Sequence, residues 1–204
     1  MITIIDYGMG NLASIKNMLK KVGEQSVITN DLDKISNAEK LILPGVGSFG
    51  QGMENLNAKG MTELIRRKAL VEKTPLLGIC LGMQLFTKHS EEGNVDGLGL
   101  IDAKTVKFNL HESHGNLKIP HMGWADVEIN SSNFIFEGIE EIPRYYFVHS
   151  YHVECANEED IMTTTEHGYS FCSGVRKENV FGVQFHPEKS HKFGMALLKN
   201  FIKI

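Results

Sequence analysis

Cysteine is scarce and scattered in this chain. Its three residues, at positions 80, 155 and 172, form no Cys-x-x-Cys pair, which argues against a disulfide framework or structural zinc and suits a reducing compartment. Long apolar runs are missing too: no stretch approaches a membrane span, and Met1-Ile2-Thr3-Ile4-Ile5 is too short, and lacks the basic flank, for a secretory signal. The expected location is the cytoplasm. No polybasic run occurs. Lys and Arg number 21 against 25 Asp and Glu, with both signs interspersed and a net charge of −4, so neither nucleic acid nor a membrane surface is an expected partner. Nine histidines invite a metal site, but their spacing does not supply one. His149 and His152, three apart in a strand-like run, should point to opposite faces, and His111 and His114 flank a polar loop. No metal and no cofactor are expected.

What is present suits a single globular α/β domain over residues 1–204, since a hydrophobic content of 42% in 204 residues can bury a sizeable core. The chain is organised around Leu76-Leu77-Gly78-Ile79-Cys80-Leu81-Gly82-Met83-Gln84-Leu85-Phe86. A short apolar strand ends in Gly-x-Cys-x-Gly and passes into a helix with Leu81, Leu85 and Phe86 on one side. This is a nucleophile elbow with sulfur in place of oxygen. Gly78 and Gly82 leave room for a sharp turn, Cys80 takes a strained conformation, and the helix N-terminus favours thiolate while the Leu81 N–H faces a developing oxyanion. A buried cysteine between two glycines at a strand end is the plainer alternative.

A thiolate nucleophile needs a base, and the base needs an orienter. Gln184-Phe185-His186-Pro187-Glu188, at the end of an alternating β-type run, supplies both. Pro187 biases His186 toward extended backbone, so His186 and Glu188 can project to one side, with His186 facing Cys80 and Glu188 holding the imidazole. Pro44-Gly45-Val46-Gly47-Ser48-Phe49-Gly50, with three glycines in seven residues, reads as a loop at a strand's C-terminal end, where open α/β sheets bind ligands. A phosphate cradle, an ordinary surface turn and an oxyanion loop are all compatible with it. The elbow favours the last, with N–H groups near Val46 and Gly47 joining that of Leu81.

The remaining sequence fits a doubly wound α/β fold. Strands are expected at 2–5, 27–29 and 40–43, the third stopping at Pro44, with helices at 12–22 and 61–70. Arg66, Arg67 and Lys68 read as a solvated helix end. From Gly97 onward short β-type segments dominate, at 105–108, 125–129, 144–154, 161–165, 169–175 and 180–185, before a final helix at 192–202. The expected architecture is a mostly parallel sheet with helices on both faces and added antiparallel strands in the second half. Cys155 and Cys172, in strand-like runs, read as small buried residues. Gly8-x-Gly10-x-x-Ala13 after the first strand, with Asp31 at the end of the second, gives a rival of another class, a nucleotide-binding module. It needs no reactive thiol. A Cys-elbow hydrolase or redox chaperone is a further alternative.

Gly78-Ile-Cys-Leu-Gly-Met-Gln84, Pro44-Gly-Val-Gly47 and Gln184-Phe-His-Pro-Glu188 resemble the signature segments of class I (triad) glutamine amidotransferases, which share a flavodoxin-like fold. Tyr7-Gly-Met-Gly-Asn11, Pro120-His-Met-Gly-Trp124, Tyr146-Phe-Val-His-Ser-Tyr151 and Lys189-Ser190 resemble, within that family, the glutaminase subunits of imidazole glycerol phosphate synthases. The resemblance implies a catalytic triad of Cys80, His186 and Glu188 and an oxyanion hole at Val46, Gly47 and Leu81. It also implies glutamine binding by Gly47, Gln84, Ser150 and Tyr151, and a heterodimeric contact through Asn11, Trp124 and Lys189 with a (β/α)8 cyclase subunit that receives ammonia for histidine biosynthesis. Two departures, Ala125 after Trp124 where Asn is usual and Asp102-Ala103 where a Gly commonly follows, keep open a paralogous subunit feeding surface-sugar biosynthesis.

Overall fold

A computed structural model of the protein describes residues 1–110, 117–130 and 134–204. His111 and His114 lie outside the described residues. The first half alternates strand and helix: β1 (Ile2–Ile5), α1 (Leu12–Lys21), β2 (Ser26–Thr29), α2 (Leu32–Ser36), β3 (Leu41–Gly45), α3 (Phe49–Ala58), α4 (Met61–Leu70), β4 (Leu76–Cys80) and α5 (Leu81–Gln84). The second half is rich in strands: β5 (His89–Ser90), β6 (Val95–Asp96), β7 (Ala103–Lys107), β8 (His121–Asp126), β9 (Glu128–Ile129), β10 (Arg144–His149), β11 (Tyr151–Cys155), β12 (Ile161–Glu166), β13 (Ser170–Lys177) and β14 (Val180–Val183). It closes with α6 (His191–Ile202).

Strands β2-β1-β3-β4-β14 form a parallel unit, continued by antiparallel β13, β11 and β7. β1, β3, β4 and β14 are buried throughout, so they read as continuous apolar runs. Alternate residues feed two cores. Ile5, Leu41, Leu43 and Leu76 pack with Phe49, Met53, Leu56 and Ile65 of α3 and α4, while Ile4, Ile42, Leu77 and Ile79 pack with Ile15 and Leu19 of α1 and Leu197 and Phe201 of α6. β8 and β10 form a separate two-stranded ribbon.

Several sequence expectations need correction. β3 does not stop at Pro44 but runs through it to Gly45, and α3 begins at Phe49, so the glycine-rich loop shrinks to Val46, Gly47 and Ser48. Pro44 is tolerated because the ladder with β1 has ended at Ile42, leaving only the pairing with β4. The helix after the elbow is one turn, ending before Leu85. The run at 144–154 is two strands, broken at Ser150, because β10 pairs with β8 whereas β11 pairs with β7 and β13. The basic trio is solvated only in part: Arg67 is exposed and donates to Ser36 Oγ, Arg66 is half-buried and donates to the Leu98 carbonyl, but Lys68 is buried, with Nζ 3.0 Å from the Ser36 carbonyl oxygen and 2.8 Å from Glu72.

Candidate active site

Cys80 ends β4 with φ 54° and ψ −111°, a region that non-glycine residues seldom adopt. The flanking glycines permit this. A Cβ on Gly82 would lie 1.8 Å from the Leu43 carbonyl oxygen, and one on Gly78 would lie 2.5 Å from the Phe86 ring, so the elbow is wedged tightly against β3 and its own following turn. Because α5 is a single turn, its dipole contributes little to the potential at the thiol.

His186 arrives from the neighbouring strand. β14 lies beside β4 in register, with Val183 opposite Ile79, so the segment leaving β14 emerges at the same sheet edge as Cys80. Glu188 reaches His186 by a different route from the one strand alternation predicts. The strand ends at Val183, and residues Pro187–Lys189 form a 3-10 turn that folds the carboxylate back, giving Nδ1···Oε1 of 2.9 Å. Ser190 locks that turn by donating to the His186 carbonyl oxygen at 2.6 Å and accepting from the Tyr146 N–H at 3.1 Å. Burial by itself lowers the pKa of His186, but the adjacent Cys80 thiol and the Glu188 carboxylate outweigh it and raise the ring to about 9. Its Nε2 is buried without a well-formed hydrogen bond, left for the thiol side of the site.

A cavity of about 300 Å³ opens over the thiol, lined by Val46, Gly47, Cys80, Leu81, Gln84, Ser150 and Tyr151 among others. Every residue expected for the oxyanion hole and for glutamine binding therefore borders one space beside the nucleophile. Its size is at the small end of ligand pockets, about 300–1,000 Å³, and suits a small metabolite. A larger open groove, lined by acidic residues such as Glu128, Glu140 and Glu141, has neither cysteine nor histidine in its lining.

The turn proposed for a nucleotide is otherwise engaged. A Cβ on Gly10 would touch Pro44 at 3.2 Å and one on Gly47 would meet Met9 at 2.6 Å, so this turn seats the loop beside the cavity. Asp31 caps α2, accepting from the N–H groups of Asp33 and Lys34 at 2.9 and 3.3 Å.

Trp124 and Lys189 meet through Tyr146. Trp124 is opposite Tyr146 in the β8–β10 ribbon, stacks on the His191 ring at 5.5 Å, and remains 43% exposed, while Lys189 Nζ lies 5.3 Å from the Tyr146 ring centre. Asn11 occupies the N-cap position of α1, which packs against the Pro187–Lys189 turn.

Sequence reasoning missed a histidine chain behind the cavity. His149 and His152 do not diverge: the break at Ser150 lets both rings pack on Phe108, at 5.2 and 4.7 Å. His149 Nδ1 donates to the Tyr151 carbonyl oxygen at 2.8 Å, so its Nε2 accepts from His121 Nδ1 at 3.2 Å. Cys155 and Cys172 are also brought together, with sulfurs 4.0 Å apart, and Cys155 is only half-buried. Among the described residues no group of three or more His, Cys, Asp or Glu is placed to hold a metal ion, and no helix is long and apolar enough to cross a membrane.

The profile of the family "Glutamine amidotransferase class-I" matches residues 3–204. The chain is 57% identical to the imidazole glycerol phosphate synthase subunit HisH 2 of Methanococcus maripaludis, over 100% of this chain and 99% of that one. It is 50% identical to the subunit HisH of Sulfurimonas denitrificans, over 100% and 98%. A crystal structure of a glutamine amidotransferase superposes with a TM-score of 0.77 at 18% identity, covering 99% of this chain and 97% of that one, a likeness of fold.

Proposed function

The chain belongs to the class I glutamine amidotransferases, and we propose that it is the glutaminase subunit of an imidazole glycerol phosphate synthase, acting in the cytoplasm as one domain. The observation that carries the chemistry is the strained Cys80 beside a His186 held by Glu188 at 2.9 Å. Cys80, as the thiolate, attacks the side-chain carbonyl carbon of glutamine, and backbone N–H groups of Leu81 and of the Val46–Gly47 loop hold the oxyanion. Collapse of the tetrahedral intermediate breaks the C–N bond. A His186 with a pKa of about 9 is charged at neutral pH and gives its proton to the departing ammonia. The neutral imidazole then takes a proton from water, whose attack on the γ-glutamyl thioester releases glutamate and restores the thiolate beside a charged imidazole. Glu188 fixes the tautomer through Nδ1.

Gly47, Gln84, Ser150 and Tyr151 bind the glutamine. Hydrolysis alone would lose the ammonia, so the partner is a (β/α)8 cyclase subunit docked on the face carrying Asn11, Trp124 and Lys189. That subunit consumes the ammonia in making imidazole glycerol phosphate and aminoimidazole carboxamide ribonucleotide. The test is glutamate release from glutamine by the chain alone, then with the histidine-pathway cyclase subunit, with and without its nucleotide acceptor. Activation by partner and acceptor together is expected, with none in Cys80→Ala. Turnover that ignores this cyclase would move the assignment to a different acceptor subunit, such as one of surface-sugar biosynthesis.

A further inference from the structure

Gln184 is buried completely, yet it belongs to neither the triad nor the cavity lining. Its side chain bridges the two. Nε2 points at Cys80 Sγ, 3.6 Å away, and Oε1 accepts from Gln84 Nε2 at 2.9 Å. The second N–H of Gln84 is spent on the Tyr151 carbonyl oxygen at 3.0 Å, which also accepts from His149 Nδ1. With both amide hydrogens of Gln84 engaged, what that side chain has left to offer the cavity is its oxygen, an acceptor with no donor capacity. An acceptor favours the amide or ammonium end of glutamine and repels the carboxylate that replaces the amide in the product.

We propose that Gln184 has two roles in the reaction: it donates a hydrogen bond to the Cys80 sulfur, favouring thiolate, and it fixes the Gln84 amide so that an oxygen faces the substrate. The proposal rests on the glutaminase reading for its second role but not for its first. A neutral N–H donor 3.6 Å from sulfur stabilises the anion more than the thiol, and it acts together with the charged His186 beside the same sulfur. The amide orientation follows from the pair: because Gln84 donates to Gln184 Oε1, the nitrogen of Gln184 is the end that faces sulfur.

Two variants separate the roles. Gln184→Glu keeps the acceptor for Gln84 and removes the donor to sulfur, setting a carboxyl there instead. Gln184→Met removes both at similar volume. The first measurement is the rate of iodoacetamide alkylation of Cys80 against pH, followed by mass on the Cys80 peptide, with thermal melting to show that each variant is folded. Both variants should move the alkylation midpoint up by about one pH unit, so that on the rising limb of the profile the rate falls roughly tenfold. The second is steady-state glutaminase kinetics with the cyclase partner and acceptor present. Here Gln184→Glu should lower kcat with KM within about twofold of wild type, whereas Gln184→Met should also raise KM by about fivefold or more.

An unchanged alkylation midpoint in folded Gln184→Glu and Gln184→Met overturns the thiolate role. An unchanged KM in Gln184→Met overturns the Gln84 role. Absence of glutaminase activity in the wild-type complex would instead defeat the glutaminase assignment, and the alkylation profile would still decide whether Gln184 acts on Cys80.

Discussion

At the scale of single residues the site depends on what is withheld as much as on what is supplied. Gly82 has no side chain because a Cβ would lie 1.8 Å from the Leu43 carbonyl oxygen, a backbone atom that cannot move without shifting β3. Gly82→Ala should therefore displace the elbow, costing about 3 kcal/mol or more in stability and abolishing glutamate release, as read by denaturant unfolding and assay together. Glu188 is the opposite case, a residue whose replacement by its amide should leave the backbone of the elbow in place. In Glu188→Gln the ring loses the carboxylate that helps raise its pKa to about 9, and the preferred tautomer is no longer enforced. The expected result is kcat lower by ~10²–10⁴-fold with KM little changed. The wild-type rate should fall above about pH 9, where His186 loses its proton. In Glu188→Gln this alkaline limb should move to lower pH, and a limb that stays in place would remove Glu188 from the argument.

At the scale of elements, the question is what keeps β4 and β14 aligned so that Cys80 and His186 emerge together. Part of the answer is Asn179, just before β14, whose Nδ2 donates to the carbonyl oxygens of Ala69 and Thr74 at 3.0 and 2.8 Å, tying the approach to β14 to the end of α4 and the approach to β4. Asn179→Ala leaves two carbonyls without that partner and should cost about 1–3 kcal/mol, with kcat close to wild type once the protein is folded. Equal losses of stability and kcat would mean that the alignment is adjustable and that Asn179 helps set it.

The same elements mark how far the sequence could be read. β1, β4 and β14 are legible because strands buried on both faces are unbroken apolar runs, and the elbow is legible because its glycines and cysteine lie within five residues. The break at Ser150 is not, since Tyr145, Phe147, His149, Tyr151 and Val153 keep one period of two while the pairing partner changes from β8 to β7 and β13. Pro44 inside β3 hides for a related reason: whether its missing N–H matters depends on where β1 stops. The contact of Gln184 with Gln84 and Cys80 joins residues about a hundred positions apart, and no local pattern announces it.

At the scale of the whole molecule, the β8–β10 ribbon must be held against the main sheet, because it carries Trp124 and Tyr146 outward and brings Val148 over the Cys80 thiol at 4.0 Å. The joint is built of aromatic rings and buried histidines. His121 and His149 of the ribbon both pack with Phe108 and with Phe171 of β13, and His121 stacks on His167 at 4.3 Å. Burial lowers the pKa of His121 to about 4, with His167 adding to the effect, and burial lowers His149 and His152 as well.

These shifts act on stability with a definite sign. A histidine depressed in the folded state binds fewer protons than in the unfolded chain, so its contribution is intact above about pH 6.5 and is lost as pH falls toward 4. His186 has the opposite sign: raised to about 9, it stabilises fully below about 6.5 and loses that contribution as pH rises through 9. The two slopes meet near pH 6.5, so maximal stability is expected there, with a decline on both sides. On the acid side His121 alone can contribute at most about 3 kcal/mol between pH 6.5 and 4. His121→Phe keeps a ring against Phe147 and His167 while removing the ionisable group, so its melting temperature should fall less steeply than wild type over that interval while matching it in slope from pH 7 to 9. Calorimetry across pH 4–9 on both proteins tests this. Parallel curves on the acid side would mean that the ribbon joint does not sense protons, and the acid limb would have to come from elsewhere in the molecule.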